Sequence, residues 1–240
     1  MNDQAGDIQA PVIRIAGADE VAAALGGAGL RLDRAVIVLV GGAGTMTEEE
    51  SETVALVLRD VVVPVAERRD AVVIDGGTDS GVMRLIGRAR SASGGRFPLV
   101  GVAAEGTVLV PGARTPSRDA ARLEPNHTLF LLVPGTQWGD EAPWMMDIAG
   151  VVAGRRRSVT VLMNGGQIAY TDVAASLRSG RPVVVLAGSG RTADAISAAR
   201  AGNRADARAV EIADSPLTAV ADVGETGVAA AAIEAALDRR

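Results

Sequence analysis

One local event occurs four times in this chain. A short apolar run meets a glycine turn, and the turn opens a helical stretch, at residues 36–48, 72–84, 129–142 and 183–194. Runs such as AVIVLV (35–40) and AVVI (71–74) show no polar alternation, the pattern of strands buried on both faces. The intervals between runs hold one helix per crossover. Units of this kind build a doubly wound α/β fold: a mostly parallel sheet of about six or seven strands with helices on both faces. The C-terminal ends of such strands form one rim, where ligands bind.

The chain has 240 residues, which suits a single large domain, with an N-terminal strand and helix arm (1–34) ahead of a core (35–240). Strands are expected at 11–16, 35–40, 71–74, 98–104, 128–133, 158–163 and 182–186, with a last edge strand at 209–212. Helices are expected at 19–25, from the turn near Thr78 to Gly94-Gly95, and at 142–153, 170–178, 191–201 and 227–239. One further helix runs from Thr47, a suitable N-cap followed by Glu48, Glu49 and Glu50, to about residue 69. Its middle, 54–65, is apolar on nearly every side apart from Arg59 and Asp60. Either the core of a large domain or a second subunit covers it, and a homo-oligomer is expected. Arg155-Arg156-Arg157 suits the negative end of the helix before it. Residues 105–122, opening on Glu105 and Gly106, both expected ligand contacts, and holding Pro111, Gly112 and Pro116, read as a long loop over the rim.

Composition excludes several chemistries. There is no cysteine, hence no disulfide, thiol nucleophile or thiolate metal site. All 24 basic residues are arginine, which removes Schiff-base lysines and the lysine of a P-loop. A single histidine cannot build a multi-histidine metal centre, and no metal or resident cofactor is required. The formal net charge is -5, and the aromatic residues are only Phe97, Phe130, Trp138, Trp144 and Tyr170, so no nucleic-acid surface is expected. Residues 1–10 lack a signal-peptide pattern, and no apolar run approaches the roughly 20 residues of a membrane span. A cytoplasmic location without membrane insertion is the expectation.

The glycine turns carry the candidate site. Gly76-Gly77-Thr78, with Gly81 and Val82, places open backbone beside a helix start, a setting that suits an anion. Gly41 and Gly42 precede three glutamates that would repel phosphate, so they line the pocket without cradling the anion. Gly188-Ser189-Gly190-Arg191 is the best phosphate candidate, combining backbone donors, a hydroxyl and a guanidinium. It is not a nucleophile elbow, because Ala187 stands where that motif needs glycine. His127 is a structural hydrogen-bonder or a ligand contact. Trp138 and Gly139 sit in a loop on the rim, where tryptophan needs a base, a subunit or the core to pack on. Glu141 is a helix cap, a holder of ribose hydroxyls or a general base.

Taken in order, Val40-Gly41-Gly42-Ala43, Asp75-Gly76-Gly77-Thr78-Asp79-Ser80-Gly81-Val82-Met83, Leu123-Glu124-Pro125-Asn126-His127, Trp138-Gly139-Asp140-Glu141 and Gly188-Ser189-Gly190-Arg191 resemble the prokaryotic "SLOG in TRPM" (LSDAT) group of the SLOG superfamily. The resemblance implies a Rossmann-like fold and a soluble sensor for a nucleotide-derived ligand, such as ADP-ribose, NAD or a related nucleotide. It implies ligand contacts from Thr78 and its loop, a base against Trp138 and a phosphate at Arg191. The LOG phosphoribohydrolases, a second branch, imply nucleotide N-glycosidase activity with Glu141 as the catalytic residue. Of their pattern, Pro134-Gly135 and Glu141 remain, while Thr136-Gln137-Trp138 replace the middle and Asn126-His127 replace an arginine-lysine pair. A structural or assembly role is the third alternative.

Overall fold

The computed structural model describes residues 8–44, 46–110, 118–155 and 157–239. In chain order the strands are β1 (Val12–Arg14), β2 (Val36–Gly41), β3 (Val72–Asp75), β4 (Leu99–Ala104), β5 (Val108–Leu109), β6 (Ala121–Arg122), β7 (Leu129–Val133), β8 (Ser158–Met163), β9 (Val183–Ala187) and β10 (Thr218–Asp222). Eight of them form one sheet in the order β1-β7-β4-β3-β2-β8-β9-β10. Every pairing is parallel. From β2 the chain steps outward through β3, β4 and β7. It then crosses back to place β8 on the other side of β2, so the strand order reverses between β2 and β8. That reversal opens a crevice at the strand ends.

Period-two alternation assigns each strand's side chains to two layers. Val36, Val38 and Val40 of β2 belong to the layer that holds α1 (Val21–Gly27), α5 (Ala142–Ala153), α6 (Gln167–Arg178), α7 (Arg191–Arg200) and α8 (Ala207–Asp214). Ile37 and Leu39 face α2 (Glu48–Val57), α3 (Val63–Arg68), α4 (Gly81–Ala92) and α9 (Thr226–Asp238). The doubly wound α/β expectation therefore describes the molecule, with eight strands rather than six or seven. The N-terminal segment is no loose arm at its strand: β1 closes one sheet edge, with Val12 opposite Phe130.

Three expectations need correction. Residues 209–212 are helical, not an edge strand. Asp206 caps α8 by accepting from the Arg208 and Ala209 N–H groups, and Ala209, Ile212 and Ala213 bury one helical face. The true edge strand is β10. The stretch 47–69 is not one regular α-helix, because a π-helical turn at Leu58–Val62 separates α2 from α3. Pro64 follows that turn, and its ring would clash with the carbonyl four residues earlier in a regular α-helix. Most of the apolar middle of this helix is buried within its own chain, against α4 and α9, while Leu56 stays 50% exposed. Finally, the segment 105–122 is not plain loop. Residues Glu105–Thr107 form a 3-10 turn, and β5 pairs with β6. Pro111, Gly112 and Pro116, with Arg156 and residues 1–7, lie outside the described residues.

Candidate functional site

A cleft of about 280 Å³ opens at the ends of β2, β3 and β4, beside the reversal point. Gly41 ends β2, Gly76 follows β3, and Ala103 lies near the end of β4. Opposite them stand Gly166, Gln167, Ile168, Ala169 and Asp172 from α6, Arg191 from α7, and Trp138, Glu141 and Met145 around the start of α5. Thr78, Met83 and Thr107 complete that part of the wall.

The glycine turns bring backbones together more than they cradle a ligand. Val82 donates its N–H to the Gly42 carbonyl at 3.0 Å, which occupies part of the α4 N-terminus. A Cβ on Gly81, at φ +48, would overlap that same carbonyl oxygen. A Cβ on Gly77 would lie 2.8 Å from Gly101 Cα and 3.1 Å from the Phe130 ring. Gly76 has only a methionine terminus near and stays open to the cleft. Arg84, close in sequence, is held by Asp79 at 2.7 Å. The anion setting expected at the start of α4 is thus largely closed by the fold.

A buried polar node supports this turn. Asp75 Oδ1 accepts from the Gly77 N–H at 2.7 Å and meets His127 Nε2 at 2.8 Å. His127 Nδ1 meets Glu124 Oε2 at 2.8 Å. The Glu124 carboxylate fills the space a Cβ on Gly87 would take, so it packs directly on α4. Burial disfavours a charged imidazole here, yet the Asp75 and Glu124 carboxylates outweigh it and hold His127 up at about 9. His127 is a buried cation clamped between two acids. It lies off the cleft wall, and both its ring nitrogens are engaged. Residues 122–124 run along the turn as well: Asp79 N–H donates to Arg122 O, and Glu124 N–H to Gly77 O.

Only Arg191 of the expected phosphate loop lines the cleft. Gly188 N–H donates to Asp194 Oδ1 at 2.6 Å. Ser189 Oγ donates to Leu186 O and accepts from Asn164 N–H. A Cβ on Gly190 would meet the Glu50 carboxylate and the Asn164 amide. Those donors are already committed, and an acid stands beside them. Glu50 is there because it closes the capping box with Thr47. The other expected residues lie off the wall too. Glu105 pairs with Arg14 at 2.6 Å, and Gly106 packs on Thr136. Gly139 donates its N–H to Glu141 Oε2 at 3.0 Å.

The anion-ready end of the cleft is one the sequence reading missed. Helix α6 begins at Gln167, three residues before the expected start. Its N-cap is Gly166, with no side-chain cap and no acidic residue in the first turn. Arg191 extends its guanidinium to this point: a Cβ on Gly166 would lie 3.3 Å from Nη2. Arg191 and Asn164 both hold positive φ, at 49° and 54°, which is uncommon outside glycine and tends to cluster at functional sites. The available signal was the Asn164-Gly165-Gly166 turn followed by no acid, in contrast to the three glutamates of α2.

The cleft also holds two carboxyls. Burial raises Glu141 above its ordinary range, against the pull of backbone N–H groups. Burial pushes Asp172 up to about 7, with Glu141 adding to the effect. Asp172 Oδ1 is buried without a hydrogen-bond partner. Asp140 steadies the Trp138 loop by accepting from the Thr136 and Gln137 N–H groups, which lower its pKa. Trp138 is left 37% exposed at the mouth. Among the described residues, no group of three or more His, Cys, Asp or Glu is placed to hold a metal ion, and no helix is long and apolar enough to cross a membrane.

The sequence model described as "SLOG in TRPM, prokaryote" matches residues 34–232. The transient receptor potential cation channel subfamily M member 2 of Mus musculus is 28% identical over 204 residues, covering 70% of this chain and 13% of the channel. The chain thus spans a small part of that relative's length. The structure of the molybdenum cofactor binding protein from the phototrophic bacterium Rippkaea orientalis matches with a TM-score of 0.45 and 14% identity, over 64% of this chain and 76% of that one.

Proposed function

The chain belongs to the prokaryotic SLOG in TRPM family, and on that footing we propose that its cleft binds a nucleotide-derived ligand, such as ADP-ribose, NAD or a related nucleotide. One observation carries the reading: Arg191 and the uncapped amino end of α6 converge on the same cleft. Backbone donors, the helix dipole and a guanidinium then act on one phosphate. Trp138, half-exposed across the mouth, offers a face for the base. The volume, about 280 Å³, is near the lower end for small-molecule sites. One nucleoside phosphate fills it, and any second unit lies toward the mouth.

Calorimetric titration with ADP-ribose, NAD, AMP, cyclic nucleotides and inorganic phosphate tests the reading. Saturable binding is expected from at least one nucleotide, weakened about tenfold or more in Arg191→Gln. Folded protein that binds none of them refutes it. A second reading, a nucleotide N-glycosidase using Glu141, draws on the raised Glu141 carboxyl inside the cleft. Chromatography of incubated nucleotides would reveal released base, and an unchanged rate in Glu141→Ala removes the proposed catalyst.

A further inference from the structure

We propose that Asp172, with Glu141 beside it, selects a ribose in this cleft by accepting hydrogen bonds from the vicinal hydroxyls of a 5′-nucleotide whose phosphate lies at Arg191. The inference rests on the nucleotide reading above and makes it more specific.

Three observations lead to it. First, Asp172 lines the cleft, and its Oδ1 is buried with no partner. A buried acceptor left unpaired is costly, and a ligand hydroxyl supplies the missing donor. Glu141 has one oxygen, Oε2, engaged by the Gly139 N–H.

Second, α6 sets the spacing. Gln167 and Asp172 are five residues apart on one helix, about 7.5 Å along its axis. Side chains tilt toward the helix N-terminus, so the carboxyl comes nearer to Arg191 than the axial step alone gives. A 5′-phosphorus and a 3′-oxygen are separated by five bonds, through O5′, C5′, C4′ and C3′. The span suits those hydroxyls, whereas the far edge of a base lies beyond it.

Third, the chemistry of the wall is divided. Arg191 serves the anionic end, and Ala169, one helical turn above Asp172, is apolar. Among the described residues, no third His, Cys, Asp or Glu joins the two carboxyls in a group placed to hold a metal ion. They are acceptors waiting for neutral donors.

The test is calorimetry with AMP, 2′-deoxy-AMP, 3′-deoxy-AMP and inorganic phosphate, on the wild type, Asp172→Ala and Asp172→Asn. At pH 8, where the Asp172 carboxyl is ionised, the wild type should bind AMP about tenfold or more tighter than either deoxy compound, the range of a hydrogen bond to a charged group. Asp172→Ala should bind AMP as weakly as the wild type binds the deoxy compounds. Asp172→Asn, whose amide oxygen still accepts, should fall between. Phosphate affinity should be the same in all three, and the thermal midpoint of Asp172→Ala should be at or above that of the wild type. A role confined to folding would not move the ribose-to-deoxyribose ratio. Equal wild-type affinity for AMP and its deoxy forms overturns the inference, as does full discrimination in Asp172→Ala. Binding of ADP-ribose without AMP also overturns it, while leaving the nucleotide reading intact. Failure of every nucleotide to bind removes both.

Discussion

The buried His127 makes a quantitative prediction, because it is the only histidine and the chain has no cysteine or lysine. Few other side chains change charge between pH 6.5 and 9. His127 is held at about 9 in the folded state, against a reference of 6.5. The folded value is raised, so its stabilisation is fully present below about pH 6.5 and is lost as pH rises through about 9. The gap corresponds to about 3 kcal/mol at pH 6.5, less than half of that at pH 8 and almost nothing by about pH 10. Urea unfolding from pH 6 to 10, with the slope on denaturant compared at each pH, measures this directly. The part of the wild-type fall that is absent in His127→Gln should be roughly 3 kcal/mol over the range. His127→Gln removes the charge and leaves Asp75 and Glu124 buried without it. It should be less stable by about 3 kcal/mol or more at pH 6 and close to the wild type at pH 10. A wild-type profile flat from pH 6.5 to 9 would refute the clamped imidazolium. So would a parallel profile in His127→Gln.

Two further outcomes follow from the cleft. Asp172 is also raised, from 3.8 to about 7, but as an acid. Its folded state favours the protonated form, so stability present below about pH 4 is lost as pH climbs to about 7. Asp172→Asn should therefore be stabilising at pH 8, by up to about 4 kcal/mol, and neutral at pH 3.5, read from thermal midpoints. Gly81→Ala should cost about 3 kcal/mol or more, because the new Cβ overlaps the Gly42 carbonyl and φ stays at +48. A stable, soluble Gly81→Ala protein with an unchanged urea midpoint would show that the β2 and β3 turns do not touch as described.

Much of the fold was legible because its signals are local. The apolar runs at 35–40 and 71–74 are too short and too uniformly apolar for surface helices, and each ends at a turn. The Thr47 cap and its three glutamates announced α2 within four residues. Elements without such signals were missed or displaced. Helix α6 starts on Gly166, which has no side chain to cap with, so its first turn passed as loop. Helix α8 alternates Ala209-Val210-Glu211-Ile212 like a strand, and only its Asp206 cap and the packed faces of Ala209 and Ile212 reveal it. The parallel pair β5 and β6 depends on a contact between distant segments that no local pattern records.

The candidate site divides along the same line. Gly41, Gly76, Thr78, Trp138, Glu141 and Arg191 were singled out from turn chemistry and family resemblance, and they line one cleft. Gly188, Ser189 and Gly190 share their turn with Arg191, yet the Gly188 N–H goes to Asp194, the Ser189 hydroxyl goes to Leu186, and Glu50 crowds Gly190. Sequence spacing cannot tell a free N–H from one already taken. Asp172 had no motif at all. It lines the cleft only because α6 turns that face toward the crevice, where Glu141 arrives from the start of α5.

The amino-acid sequence by itself determined the class of fold, the rim formed by the strand ends and the family, because periodicity, glycine placement and ordered motifs are properties of short stretches. Tertiary structure alone decided which helix end stays open, which glycines are filled by neighbouring backbone, and which acids lose their water. Those depend on distances between residues far apart in the chain. His127 shows the difference most sharply: the motif containing it identifies the family, while its charge exists only because Asp75 and Glu124 enclose it.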